Sequence, residues 1–164
     1  ADFVGADAAG LVFVPNATYG VNSVLRSLEP HLEPGAEIVV TNHTYNACRN
    51  AAAETARRVG ATLVVADIPF PIASPSQASA AILDAVTPDT ALVLLDHVTS
   101  ATGLIMPIAQ IAEQLPPNIT VLVDGAHAPG MIPVDIAALD VATRSATSEI
   151  SANATSAVPR ALAV

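Results

Sequence analysis

Apolar residues in this chain fall into two kinds of run that alternate. Short, nearly continuous blocks rich in Val, Ile and Leu occur at 10–15 (GLVFVP), 37–41 (EIVVT), 61–66 (ATLVVA), 90–95 (TALVLL) and 119–123 (ITVLV). Blocks of this length suit buried strands and are too short for helices. Between them the spacing changes. Val21, Val24, Leu25 and Leu28 fall at i, i+3, i+4 and i+7, which predicts an amphipathic helix ended by Pro30. An alanine-rich stretch from Asn46 to Val59, closing on Arg57, Arg58 and Gly60, predicts a second. Helices from roughly Gln77 to Val86 and from Pro107 to Leu115 complete the series, with Pro69 to Ser76 as a surface connection. Strands without polar alternation, separated by helices, indicate an α/β fold: a mostly parallel sheet flanked by helices on both faces. From Asp140 the pattern lapses. Residues 1–139 read as one domain and 140–164 as an irregular or weakly helical tail.

Polar residues are concentrated where the strands end. Ligands of an open parallel sheet bind outside the carboxyl ends of its strands. Here those ends carry Asn16 to Thr18, Asn42 to Tyr45, Asp96 to Ser100, and Asp124 to His127. Thr18 stands at a helix entrance, where free N–H groups and the helix dipole favour an anion; Asn16 or Thr18 as a plain N-cap is the alternative. His43, His97 and His127 are placed at the edge, whereas His31 is not and reads as structural. Asp124 carries the strongest constraint. A carboxylate at the end of a buried strand costs several kcal/mol unless it is answered. A cation, a metal or a protonated ligand nitrogen is therefore expected beside it.

Composition narrows the classes. The chain has 164 residues, 52% of them hydrophobic, enough for one sizeable core. Its net charge is -9, every basic residue is an arginine, and only Arg57 and Arg58 adjoin, which argues against a nucleic-acid partner. No apolar run reaches the ~18 residues of a membrane span, and the first residues do not resemble a secretory signal, so a cytoplasmic setting is expected. Cys48 is the single cysteine and reads as a small apolar residue on a helix. No GxGxxG follows the first strand, which disfavours a nicotinamide site.

Four segments together, NATYGVNSVLRSL (16–28), TNHTYNACRNA (41–51), LLDHVTSATG (94–103) and VLVDGAHAPGMIPVDIAAL (121–139), resemble the class V aminotransferase family of fold-type I pyridoxal-phosphate (PLP) enzymes. The resemblance spans Gly10 to Leu139 and is nearest to isopenicillin N epimerase-like and cysteine desulfurase-like members. It implies part of a fold-type I large domain, PLP as cofactor, an amino acid as substrate, and a homodimer in the intact enzyme. By position, it implies that Ala17 and Thr18 hold the cofactor phosphate and that His43, or alternatively Tyr45, stacks on the pyridine ring. Ser100 and His127 would approach the phenolic oxygen. Asp124 would pair with the pyridine nitrogen and keep it protonated.

The resemblance also implies a lysine near Ile150, where the sequence reads TSEISAN; the chain contains no lysine. The expectation is a fragment of a PLP-dependent epimerase, aminotransferase or C–S lyase, truncated or frame-altered, inactive alone and binding PLP without a covalent bond at most. Two alternatives remain: a non-catalytic remnant or dimerising partner of a full-length paralogue, and a metal-dependent hydrolase built on Asp96, His97, Asp124 and His127.

Overall fold

The computed structural model describes residues 1–139 and 162–163. The sheet comprises β1 (Glu37–Thr41), β2 (Thr62–Ala66), β3 (Thr90–Asp96), β4 (Thr120–Asp124) and a two-residue β5 (Leu162–Ala163). Their order is β2-β1-β3-β4-β5, and every pairing is parallel. The helices are α1 (Ala17–Leu28), α2 (Asn46–Val59), α3 (Pro75–Asp84), α4 (Ile108–Gln114) and the short α5 (Ile136–Leu139). The tail expected from Asp140 and the TSEISAN position lie outside the described residues, except for Leu162 and Ala163 beside β4.

Strand alternation divides the core in two. Ile38, Val40, Leu92, Leu94 and Leu122 pack beneath α1 and α2, together with Val21, Leu25, Cys48 and Ala52. Val39, Val93, Leu95, Val121 and Val123 face the other way, against Ile82 of α3 and Ile108 and Ile111 of α4. This double burial is why the strands read as continuous apolar blocks. The four positions spaced as one face of α1 are all buried. Each contributes on the order of 1.5–3 kcal/mol by leaving water. Gly60 closes α2 at φ 74, a left-handed turn that glycine adopts without strain.

One expected strand is absent. Residues 11–15 are not paired into the sheet; Val12 is 68% exposed and Phe13 fully so. The edges of the sheet are held by β2 and β5, so this apolar run has no ladder partner among the described residues. No helix among them is long and apolar enough to cross a membrane.

The chain passes from β1 outward to β2 and then returns to the other side of β1 to form β3. The gap between β1 and β3 is therefore the switch point of the sheet, where connections leave in opposite directions and open a crevice at the carboxyl edge.

Candidate functional site

Two carboxylates stand together at that edge. Asp96 and Asp124 are paired positions at the ends of neighbouring parallel strands. Alternation turns both toward the α1–α2 face, above Leu94 and Leu122, and each residue is only 4% exposed. Asp124 Oδ2 accepts the S–H of Cys48 at 3.1 Å, from the first turn of α2, and its Oδ1 accepts the Ala126 N–H at 3.1 Å. Asp96 accepts the Tyr45 N–H at 3.2 Å, a bond that spans the switch point. Its second oxygen, Oδ2, is buried with no partner.

Charge is correspondingly strained here. Burial, reinforced by the Asp124 charge, pushes the Asp96 carboxyl up to about 6 against the opposing Tyr45 bond. Burial, the bond to Asp124 and the charges of both aspartates drive the Cys48 thiol far up, with only the nearby Thr18 hydroxyl favouring the thiolate. Cys48 is thus a protonated donor and not a nucleophile. Among the described residues neither aspartate has a cationic side chain in an ion pair with it.

The helix entrance is organised by Asn16, whose Oδ1 accepts the Tyr19 N–H at 2.9 Å. Asn16 is thus the N-cap of the twelve-residue α1, which leaves the Ala17 and Thr18 amides pointing out of its open end. His43, in the loop after β1, is held at both ring nitrogens: Nδ1 lies 3.0 Å from the Thr102 hydroxyl and Nε2 lies 3.0 Å from the Ile68 carbonyl. The Phe70 ring meets it edge-on at 6.1 Å. Tyr45 contributes its backbone, and the residue is 45% exposed.

The expected residues separate under this geometry. Asp124, Thr18 and, through its backbone, Tyr45 gather around the acid pair. Ser100 and His127 lie on exposed turns. Thr102, two residues beyond Ser100, is the hydroxyl of that loop that reaches another part of the edge. His31 is exposed, in keeping with its structural reading. His97 follows the end of β3, its Nδ1 is buried without a hydrogen-bond partner, and burial lowers its basicity. Among the described residues no group of three or more His, Cys, Asp or Glu is placed to hold a metal ion, so Asp96, His97, Asp124 and His127 do not form one. The metal-dependent hydrolase is not supported. Cys48, set aside in the sequence as a core residue, is a core residue that also donates to the central acid.

A parallel sheet with this order, its acids at the carboxyl edge and helices on both faces, is the large-domain fold of fold-type I PLP-dependent enzymes. A cystine C–S lyase in complex with cysteine persulfide superposes with a TM-score of 0.76 at 27% identity, over 85% of this chain and 37% of that one. An Escherichia coli cysteine desulfurase, at 24% identity, shares the fold with a TM-score of 0.77 over 85% of this chain and 35% of its own.

The chain belongs to the aminotransferase class-V family, whose model matches residues 1–148 and so extends beyond Gly10–Leu139 on both sides. It is 36% identical over 141 residues to isopenicillin N epimerase of Amycolatopsis lactamdurans, covering 85% of this chain and 35% of that protein. It is 31% identical over 142 residues to a probable cysteine desulfurase of Pasteurella multocida, covering 85% and 33%. The chain spans about a third of the length of these relatives.

Proposed function

We propose that residues 1–139 form the cofactor-binding part of a PLP-dependent enzyme acting on an amino acid. The observation that carries this reading is the buried Asp124, a carboxylate at the carboxyl edge with no cationic side chain in an ion pair with it among the described residues. A protonated pyridine nitrogen is the counter-charge such an acid calls for. The donor set fits the rest of the group. Ala17 and Thr18 offer open amides at a helix N-terminus for a phosphate, and His43 offers a ring fixed at both nitrogens. Ser100 and His127 stand on accessible turns from which to approach the phenolic oxygen.

When bound, PLP supplies electron withdrawal from the α-carbon of an amino acid. The chain binds and orients it: Asp124 holds the proton on the pyridine nitrogen, His43 rather than Tyr45 covers the ring, and α1 anchors the phosphate. The longer relatives include a cystine C–S lyase, seen in one variant with glycine covalently linked to its PLP cofactor, isopenicillin N epimerase and probable cysteine desulfurases. With the family's name, these support epimerisation, transamination or C–S cleavage as the reaction of the whole protein; the homodimer is proposed from the family resemblance alone. With no lysine in the sequence, PLP is held here without a covalent bond. Alone, the chain is inactive. The same missing lysine supports a second reading, in which it acts as a non-catalytic partner of a full-length paralogue.

Titration with PLP, followed by visible absorbance, tests the site. Saturable binding is expected, and borohydride should trap no adduct on an internal residue once the α-amino group is blocked. A trapped internal adduct would overturn non-covalent binding. Stoichiometric zinc or manganese uptake without any PLP band would restore the hydrolase.

A further inference from the structure

The ring of His43 is the end of a chain of hydrogen bonds whose direction can be read by elimination. The Ile68 carbonyl can only accept, so the His43 Nε2 at 3.0 Å must carry the proton. In the neutral ring Nδ1 is then an acceptor, and the Thr102 hydroxyl at 3.0 Å must donate to it. Thr102 has spent its one proton, so the contact of 2.8 Å between the Thr99 and Thr102 hydroxyls runs from Thr99 to Thr102. Thr99 Oγ1 in turn accepts the Leu104 N–H at 2.8 Å. With the ring neutral, every donor in the series has a single available direction.

The scaffold behind this series is stiff. Thr99 is buried, its N–H donates to the Leu104 carbonyl at 2.9 Å, and its carbonyl accepts the Gly103 N–H at 2.9 Å. Val98 and Ile105 pair across the base of the loop. Ile68 is itself fixed by Asn42, whose side chain accepts the Ile68 N–H at 3.0 Å and donates to its carbonyl at 3.0 Å. One imidazole therefore ties together the connections that follow β1, β2 and β3.

We infer that Thr102, backed by Thr99, is a positioning residue that fixes the ring plane of His43 and holds its neutral form as the Nε2-protonated tautomer. The significance of the lock rests on the reading that His43 covers the cofactor ring. Rotation of the imidazole breaks both of its bonds. Thr102 touches neither cofactor nor substrate; it acts through His43.

The test is nitrogen NMR of the histidine rings in the full chain, above the imidazole titration range at about pH 8.5. The wild-type His43 should show a single tautomer protonated at Nε2. Thr102→Val should give a mixture of tautomers, and Thr102→Ser, which keeps the hydroxyl, should restore the single form. Non-covalent PLP affinity should fall about fivefold in Thr102→Val and stay within about twofold in Thr102→Ser. A wild-type His43 that is protonated at Nδ1 or mixed, or a Thr102→Val ring identical to wild type, overturns the lock. Adding PLP to the wild type separates the two readings. A fixed tautomer whose ring signals do not move with PLP leaves the lock standing and removes His43 from the cofactor face.

Discussion

Acids stand at both ends of this parallel sheet, and the two ends treat them differently. At the amino edge Glu37 opens β1, and its Oε2 accepts the Thr87 hydroxyl at 2.6 Å and the Thr90 hydroxyl at 3.1 Å. That carboxylate is answered by the fold's own donors and remains in partial contact with water. At the carboxyl edge Asp96 keeps one buried oxygen without a partner, and Asp124 is met by a thiol and one amide. An acid answered within the fold serves folding. An acid buried with capacity left over costs stability, and that cost is sustained where a ligand supplies the missing charge.

The largest test of this contrast is Asp124→Ala. Removing a charged hydrogen bond to a pyridinium should weaken PLP binding by about a hundredfold, near 3 kcal/mol, measured by absorbance titration. Retention of wild-type affinity would break the contrast at its centre.

Asp96→Asn comes next and should stabilise the chain. The folded Asp96 titrates at about 6 against an ordinary 3.8, so the folded state binds that proton more tightly than the unfolded chain. Its effect is neutral below about pH 4. As the pH rises through 6, folding stability falls, by up to about 3 kcal/mol at about 1.4 kcal/mol per unit. Asparagine keeps an acceptor for the Tyr45 N–H and removes the charge. Denaturant melts should therefore show a gain of about 2 kcal/mol at pH 7.5 and none near pH 4. His97 carries the opposite sign. Its basicity is lowered by burial, so its contribution is present above the ordinary imidazole value and is lost as the pH falls below it. A urea series in wild type should therefore show two opposing slopes, and only the Asp96 slope should disappear in Asp96→Asn.

Cys48→Ala removes a small buried side chain and one donor to Asp124, for a cost of about 1–2 kcal/mol. Cys48→Ser, which keeps a donor, should recover part of it. An unchanged melt in Cys48→Ala would show that Asp124 does not depend on the thiol.

The local patterns carried most of the fold. EIVVT, TALVLL and ITVLV are strands buried on both faces, ATLVVA is a half-buried strand at the edge of the sheet, and the spacing of Val21, Val24, Leu25 and Leu28 maps onto the buried side of α1. GLVFVP failed because apolarity reports a wish for burial, whereas a strand also needs a neighbour to pair with. In the site, Asp124 was legible from its place at the end of a buried strand. Cys48 and Thr102 were not. Cys48 reaches an aspartate 76 positions away only because the first turn of α2 is brought to the carboxyl end of β4, and Thr102 rather than Ser100 reaches His43 because of how the 99–104 loop closes.

The smallest effect belongs to the amino edge. Glu37→Gln leaves a neutral amide oxygen to accept the Thr87 and Thr90 hydroxyls and loses only the charge, so its cost should be about 0.5–1 kcal/mol. PLP affinity should not change, because Glu37 stands at the opposite end of β1 from His43. The informative comparison is with Asp124→Asn, the same chemical change at the other edge. There the amide no longer holds a proton on a ring nitrogen, and PLP affinity should fall while the melt barely moves. If Glu37→Gln instead weakened PLP binding as much as Asp124→Asn, both losses would reflect general loosening of the sheet, and the two ends would not differ in kind.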